Sequence, residues 1–126
     1  EKLAHQAMHD ALTGLANRRL LHDRIEHALA KAGSDHAQAA VLLLDLDNFK
    51  NVNDRHGHEL GDALIVSVGE RLQSAVRAGD TVARIGGDEF VVLLPHADAE
   101  TELLSAVDRV LRSVDGTYTL DPHTHV

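Results

Sequence analysis

Apolar residues are spaced in two ways along this chain, and the change of spacing divides it into elements. At Leu21, Ile25, Ala28, Leu29 and Ala32 they recur at helical intervals, after a break at Gly14 and with Asn17 placed to cap the helix. The same interval returns at Leu64, Ile65, Val68, Leu72, Ala75 and Val76, predicting an amphipathic helix from about Asp62 to near Gly79. It returns again at Leu103, Leu104, Val107, Val110 and Leu111, with Asp98 as cap, acids at Glu100 and Glu102, and Arg109 and Arg112 near the end, charges that suit the helix dipole. Residues 1–9 read as the tail of a helix arriving from upstream. Elsewhere the apolar residues run together. AAVLLLDLD at 39–47 predicts a strand covered on both faces, and TVARI and EFVVLLP predict a hairpin around a glycine corner. AGSDHAQ at 32–38 reads as a loop, NFKNVNDRHGHELGD as a polar, turn-rich stretch, and GTYTLDPHTHV as turn and strand. The expected order is helix, helix, strand, helix, strand, strand, helix, strand: an α+β fold with a central sheet flanked by helices.

Composition narrows the chemistry. The 126 residues, 44% hydrophobic and 25% charged, fit one domain, and a formal charge of −8 argues against general affinity for nucleic acid or an anionic membrane surface. There is no cysteine, which removes disulfides and thiol catalysis and suits a cytoplasmic setting. The longest apolar runs fall far below the ~20 residues of a membrane span. The sequence opens at Glu1 with neither an initiator Met nor a signal-peptide pattern, as a piece excised from a longer protein would.

The acids are the informative groups. Asp45 and Asp47 follow one apolar run, and Asp88 and Glu89 precede another at the Gly86-Gly87 corner. Adjacent carboxylates repel unless a cation or donors offset them, and if the two strands are neighbours the acids converge on one point. That donor set suits Mg²⁺ bound together with substrate phosphates. Gly-Gly is also a good hairpin turn, and acids at turns are often only solvated, so spacing alone leaves both readings open. Likewise RAGD at 77–80, taken alone, is an ordinary helix C-cap followed by a solvated turn. The histidine pairs 5/9, 56/58 and 123/125 lack further ligands at zinc spacing.

HDALTGLANRR at 9–19, LLLDLDNFKNVNDRHGHELGD at 42–62 and RAGDTVARIGGDEFVVLLP at 77–95 together resemble the GGDEF family, the diguanylate cyclases, over about two-thirds of the chain. The resemblance implies a nucleotidyl-cyclase-like fold with a ferredoxin-like palm. Residues 1–9 would close an upstream linker helix, and 10–126 would be the GGDEF domain, ending at Val126 before the family's Ser-x-Gly strand and final basic helix. It implies condensation of two GTP into cyclic di-GMP and pyrophosphate by a homodimer under an upstream sensory or linker region, each ribose 3′-hydroxyl attacking the other nucleotide's α-phosphate. Mapped onto this sequence, Asp45, the Leu46 carbonyl and Asp88 would hold Mg²⁺, with Mn²⁺ as a substitute. Glu89 would be a second ligand or the base, and Lys50 and the backbone near Asn48 and Phe49 would hold phosphates. Asn53 and Asp62 would read guanine, and His58 would lie on the substrate side or stabilise the turn. Arg77 and Asp80 would form the RxxD site at which product inhibits. The alternative is a GGDEF domain that no longer turns over and serves as a GTP or cyclic di-GMP binding module.

Overall fold

The computed structural model describes residues 7–35, 38–97 and 99–126. Asp98 and most of the expected upstream helix lie outside these; Ala7 and Met8 are helical. The named elements are α1 (Arg18–Asp35), β1 (Ala40–Asp45), α2 (Phe49–His56), α3 (His58–Ala75), β2 (Thr81–Arg84), β3 (Glu89–Leu94), α4 (Glu100–Val114), β4 (Thr119–Asp121) and β5 (Thr124–His125). Asn17 caps α1 as expected, its Oδ1 accepting from the Leu20 N–H at 3.0 Å. No helix among the described residues is long and apolar enough to cross a membrane.

Strands β1, β3 and β2 form one antiparallel sheet in that order, and β4–β5 is a separate small hairpin. One face of the sheet presents Val82, Phe90, Val92 and Leu94 to Leu64, Ile65, Val68 and Leu72 of α3 and to Val110 of α4. The other presents Ala83, Val91 and Leu93 to Leu21 and Ala28 of α1. The sheet is thus sandwiched between helices, the α+β architecture expected. Arg71 fastens the small hairpin to α3: its guanidinium lies 3.6 Å over the Tyr118 ring and donates to the carbonyls of Asp115 and Thr117 at 3.1 and 2.7 Å.

Four expectations are corrected. The strand covered on both faces is β3, not β1: β1 pairs on one side only, and its Val41 and Leu43 are 53% and 67% exposed because α1 lies over β2 and β3. Helix α1 continues to Asp35 through part of the expected 32–38 loop, absorbing Gly33. The polar stretch after β1 is the helix α2, since Phe49 and Val52, three apart, pack on the core; α3 then starts at His58 and ends at Ala75, earlier at both ends than expected. Leu29, Leu104 and Leu111, assigned to inner faces by spacing, are 61%, 60% and 53% exposed.

Candidate functional site

Strand pairing brings the acids together. Asp45 and Glu89 are register partners at the last rung of β1–β3, which puts their side chains on one face of the ladder. One residue on, the Leu46 N–H donates to the Asp88 carbonyl at 3.1 Å, so Asp45, Leu46, Asp88 and Glu89 meet at one mouth of the sheet. No ion pair among the described residues engages any of these carboxylates. Asp47 is exposed just beyond the strand.

The glycine corner answers to two demands. Ile85 N–H donates to the Glu89 carbonyl at 3.0 Å to close the turn, and a Cβ at Gly86 would collide with Glu89 Oε1, so the first glycine is the floor on which that carboxylate rests. Arginines hold the turn from behind. Arg84 donates through Nε and Nη2 to the Gly87 carbonyl at 3.2 and 3.0 Å and pairs through Nη1 with Asp10 at 3.2 Å, while Arg18 donates to the Ile85 carbonyl at 3.3 Å. Asp10 also accepts from the N–H and hydroxyl of Thr13 at 2.9 and 2.8 Å. Burial pushes the Asp10 carboxyl up, but the Thr13 hydrogen bonds and the Arg84 charge outweigh it and hold the group below its ordinary 3.8. Sequence reasoning missed Asp10 and Arg18, which lie more than sixty residues away and act on the turn only through the fold.

Beside this mouth α2 begins at Asn48, whose φ of 63° is left-handed and whose side chain makes no cap to the helix. The first-turn N–H groups of α2 therefore have no helical partner. Lys50 is exposed in this turn, and Phe49 is half-buried in the core. Asn53 faces α3: its Oδ1 is shielded from solvent, has no hydrogen-bond partner, and fills the space beside Gly61. Asp62, the next residue, is exposed, as is His58 at the start of α3.

The RAGD segment is a closed turn. Asp80 Oδ2 accepts from the Arg77 N–H at 2.9 Å, the Asp80 N–H donates to the Arg77 carbonyl at 3.1 Å, and Gly79 has φ 98°. Arg77 and Asp80 share a small concavity with Glu102, His96 and Arg109, a residue read from sequence only as a dipole partner. Arg109 is already anchored, donating to the Ala75 carbonyl at 2.6 Å. Across the turn a second concavity of about 230 Å³ is lined by Arg24, His27, Lys31 and His96 along with Gly79. A more open one of about 990 Å³, between Asp10, Arg18, His22 and Gly86, reaches the back of the signature turn but not Asp45, Asp88 or Lys50.

Among the described residues no group of three or more His, Asp or Glu side chains is poised to hold a metal ion. The carboxylates that strand pairing brings to this end of the sheet, Asp45, Asp88 and Glu89, have no ion pair among the described residues and are hard oxygen donors of the kind a divalent cation takes together with substrate phosphates.

A sequence model described as the diguanylate cyclase GGDEF domain matches residues 7–126. The chain belongs to the GGDEF family. Within it, this GGDEF domain is 44% identical over 97% of its length to the bifunctional diguanylate cyclase/cyclic di-GMP phosphodiesterase MucR of Pseudomonas aeruginosa, covering 18% of that protein. It is 42% identical over 94% of its length to the diguanylate cyclase TpbB of the same species, covering 27% of it. A solved structure of the TpbB GGDEF domain superposes with a TM-score of 0.88 at 39% identity, covering 94% of this chain and 69% of that one. The coiled coil and GGDEF domain of DgcB from Caulobacter crescentus, solved in complex with c-di-GMP, gives 0.80 at 29% identity, covering 86% and 56%. The chain thus spans less than a third of the curated relatives it matches.

Proposed function

We propose that this GGDEF domain condenses two GTP molecules into cyclic di-GMP and pyrophosphate, working as a homodimer with a divalent ion and restrained by its product at RAGD. The observation that carries the reading is the shared mouth: Asp45 opposite Glu89, with Leu46 hydrogen-bonded to Asp88, next to the uncapped start of α2. Asp45, the Leu46 carbonyl and Asp88 would hold Mg²⁺, which when bound supplies compensation for phosphate charge. Lys50 and the free N–H groups at the start of α2 suit the same phosphates, as an ammonium and a helix N-terminus do. Asn53 and Asp62 offer an amide and a carboxylate to the base. A carboxylate accepts from guanine N1–H and N2–H₂ and is repelled by the bare N1 of adenine. In each half-reaction a 3′-oxygen forms a bond to the partner nucleotide's α-phosphorus, the bond to the β-phosphate oxygen breaks, and the hydroxyl proton passes to a hairpin carboxylate, Glu89 or Asp88.

Product inhibition draws support from the cations around RAGD: Arg77 and Arg109 in one concavity, Arg24 and Lys31 in its neighbour, ready for a dianionic dinucleotide. The deciding experiment incubates the full-length protein with GTP and Mg²⁺ and follows cyclic di-GMP by chromatography. Product should form and should vanish in Asp88→Ala with the fold intact by circular dichroism. A folded dimer that binds nucleotide but yields none would reduce the domain to a binding module.

A further inference from the structure

We propose that Gly61 is a specificity-determining position of the guanine site, a gap in α3 that houses the amide of Asn53. The inference rests on the reading above that Asn53 meets the base, and adds a residue that touches no ligand.

Three observations converge on it. Gly61 is buried in a helix, with no left-handed φ to demand glycine, and glycine weakens a helix relative to alanine. Its backbone conformation therefore does not explain it. The space does: a Cβ at Gly61 would overlap Asn53 Oδ1 and approach Asn53 Cγ at 2.8 Å and Nδ2 at 3.5 Å. Gly69, one helical stretch further on, differs in kind, since the nearest neighbours of a Cβ there would be the side chains of buried Leu15 and half-buried Thr13. The third observation is the state of that amide. Asn53 Oδ1 is the one buried side-chain polar atom among the described residues without a hydrogen-bond partner, and such atoms ordinarily find one. Seated in the gap the acceptor is shielded and short of a donor; a small turn of the amide toward Asp62 would let it accept from a ligand that carries its own donor, and the exocyclic amine of guanine is one.

An added methyl at 61 has an easy escape, because the obstructing atoms are the end of a side chain rather than backbone. Gly61→Ala should therefore spare the fold and evict the amide. The base then loses one of its two partners at N2 while Asp62 still holds N1 and the other N2 hydrogen.

The test uses the full-length protein and equilibrium binding of the α,β-methylene analogues of GTP and ITP, which cannot be cleaved at the reacting bond. Inosine lacks the exocyclic amine and keeps N1–H and N3, so the ratio of the two dissociation constants reads only the hydrogen bonds to that amine, and the Asn53 share of them is what its removal subtracts. Asn53→Ala should shrink the preference for the guanine analogue about tenfold, the size expected for one buried hydrogen bond. Gly61→Ala should shrink it to the same extent. In the Asn53→Ala background, Gly61→Ala should change the ratio less than about twofold, since the group it acts through is gone. Thermal unfolding of Gly61→Ala should stay near that of the parent; any loss through residual crowding should be recovered in the double variant. An unchanged ratio in Asn53→Ala would remove that residue from the base, and the role of Gly61 with it. A reduced ratio in Asn53→Ala with no change in Gly61→Ala, or an equal effect of Gly61→Ala in both backgrounds, would overturn the Gly61 proposal and leave the base reading standing.

Discussion

Asp10 is the residue whose importance the sequence hid best. Its carboxylate and the Arg84 guanidinium are each about four-fifths shielded, with side-chain exposures of 19% and 18%, and Arg84 spends its other nitrogens on the Gly87 carbonyl. Asp10→Asn should cost about 1–2 kcal/mol at pH 7, as loss of a charged hydrogen bond does. The sign with pH is fixed by the direction of the shift. A carboxyl held below 3.8 adds stability above that pH and loses it as the pH falls toward its folded value. Urea denaturation should therefore find parent and Asp10→Asn furthest apart near neutrality and converging below pH 4. At this scale the signature strings supplied names for the proposed site, Asp45, Asp88, Glu89, Lys50, Asn53 and Asp62, and the fold shows where they lie without testing their roles. Asp10, Arg18 and Gly61 lie on the same strings and, like Arg109, had no assigned contact, because each acts through one that only the folded chain makes.

Elements were legible where their periodicity was strong. The hairpin of β2 and β3, the cap of α1 and the apolar face of α3 follow the expected positions. The open face of strand β1, itself found where expected, and the helix α2 were not foreseen, for opposite reasons. An all-apolar run cannot report whether a second helix lies over it, and α2 has only Phe49 and Val52 to mark a helical period in eight residues. The corrected sheet order predicts unequal costs for similar-looking truncations. Phe90→Ala, on the central strand with no exposure, should lose about 3–5 kcal/mol, whereas Leu43→Ala, 67% exposed on β1, should lose less than about 1 kcal/mol. Equal midpoints in chemical denaturation would mean that β1 is covered in solution.

For the whole molecule the telling fact is how charge is distributed on a chain of net −8. Cations collect around RAGD, carboxylates without ion-pair partners among the described residues at the sheet mouth, so the two proposed sites would attract different parts of the same chemistry: dinucleotide phosphate at one, divalent metal at the other. Arg77→Ala should accordingly raise the concentration of cyclic di-GMP needed for half-inhibition at least tenfold, with an initial rate within about twofold of the parent. An unaltered inhibition curve would rule the RAGD turn out as the regulatory site.

The left-handed residue Asn48 leaves almost no slack between β1 and α2: strand ends at 45, helix starts at 49. Each helical residue turns the chain by about 100°, so the angular phase of Lys50 and Asn53 relative to Asp45 is set by the length of this one joint. Inserting a single alanine after Asp47 would keep every side chain discussed above yet swing Lys50 and Asn53, the groups proposed to meet phosphate and base, out of step with the carboxylates. Turnover should collapse in a protein that still unfolds cooperatively. The joint works as a ruler, and its graduation is one residue.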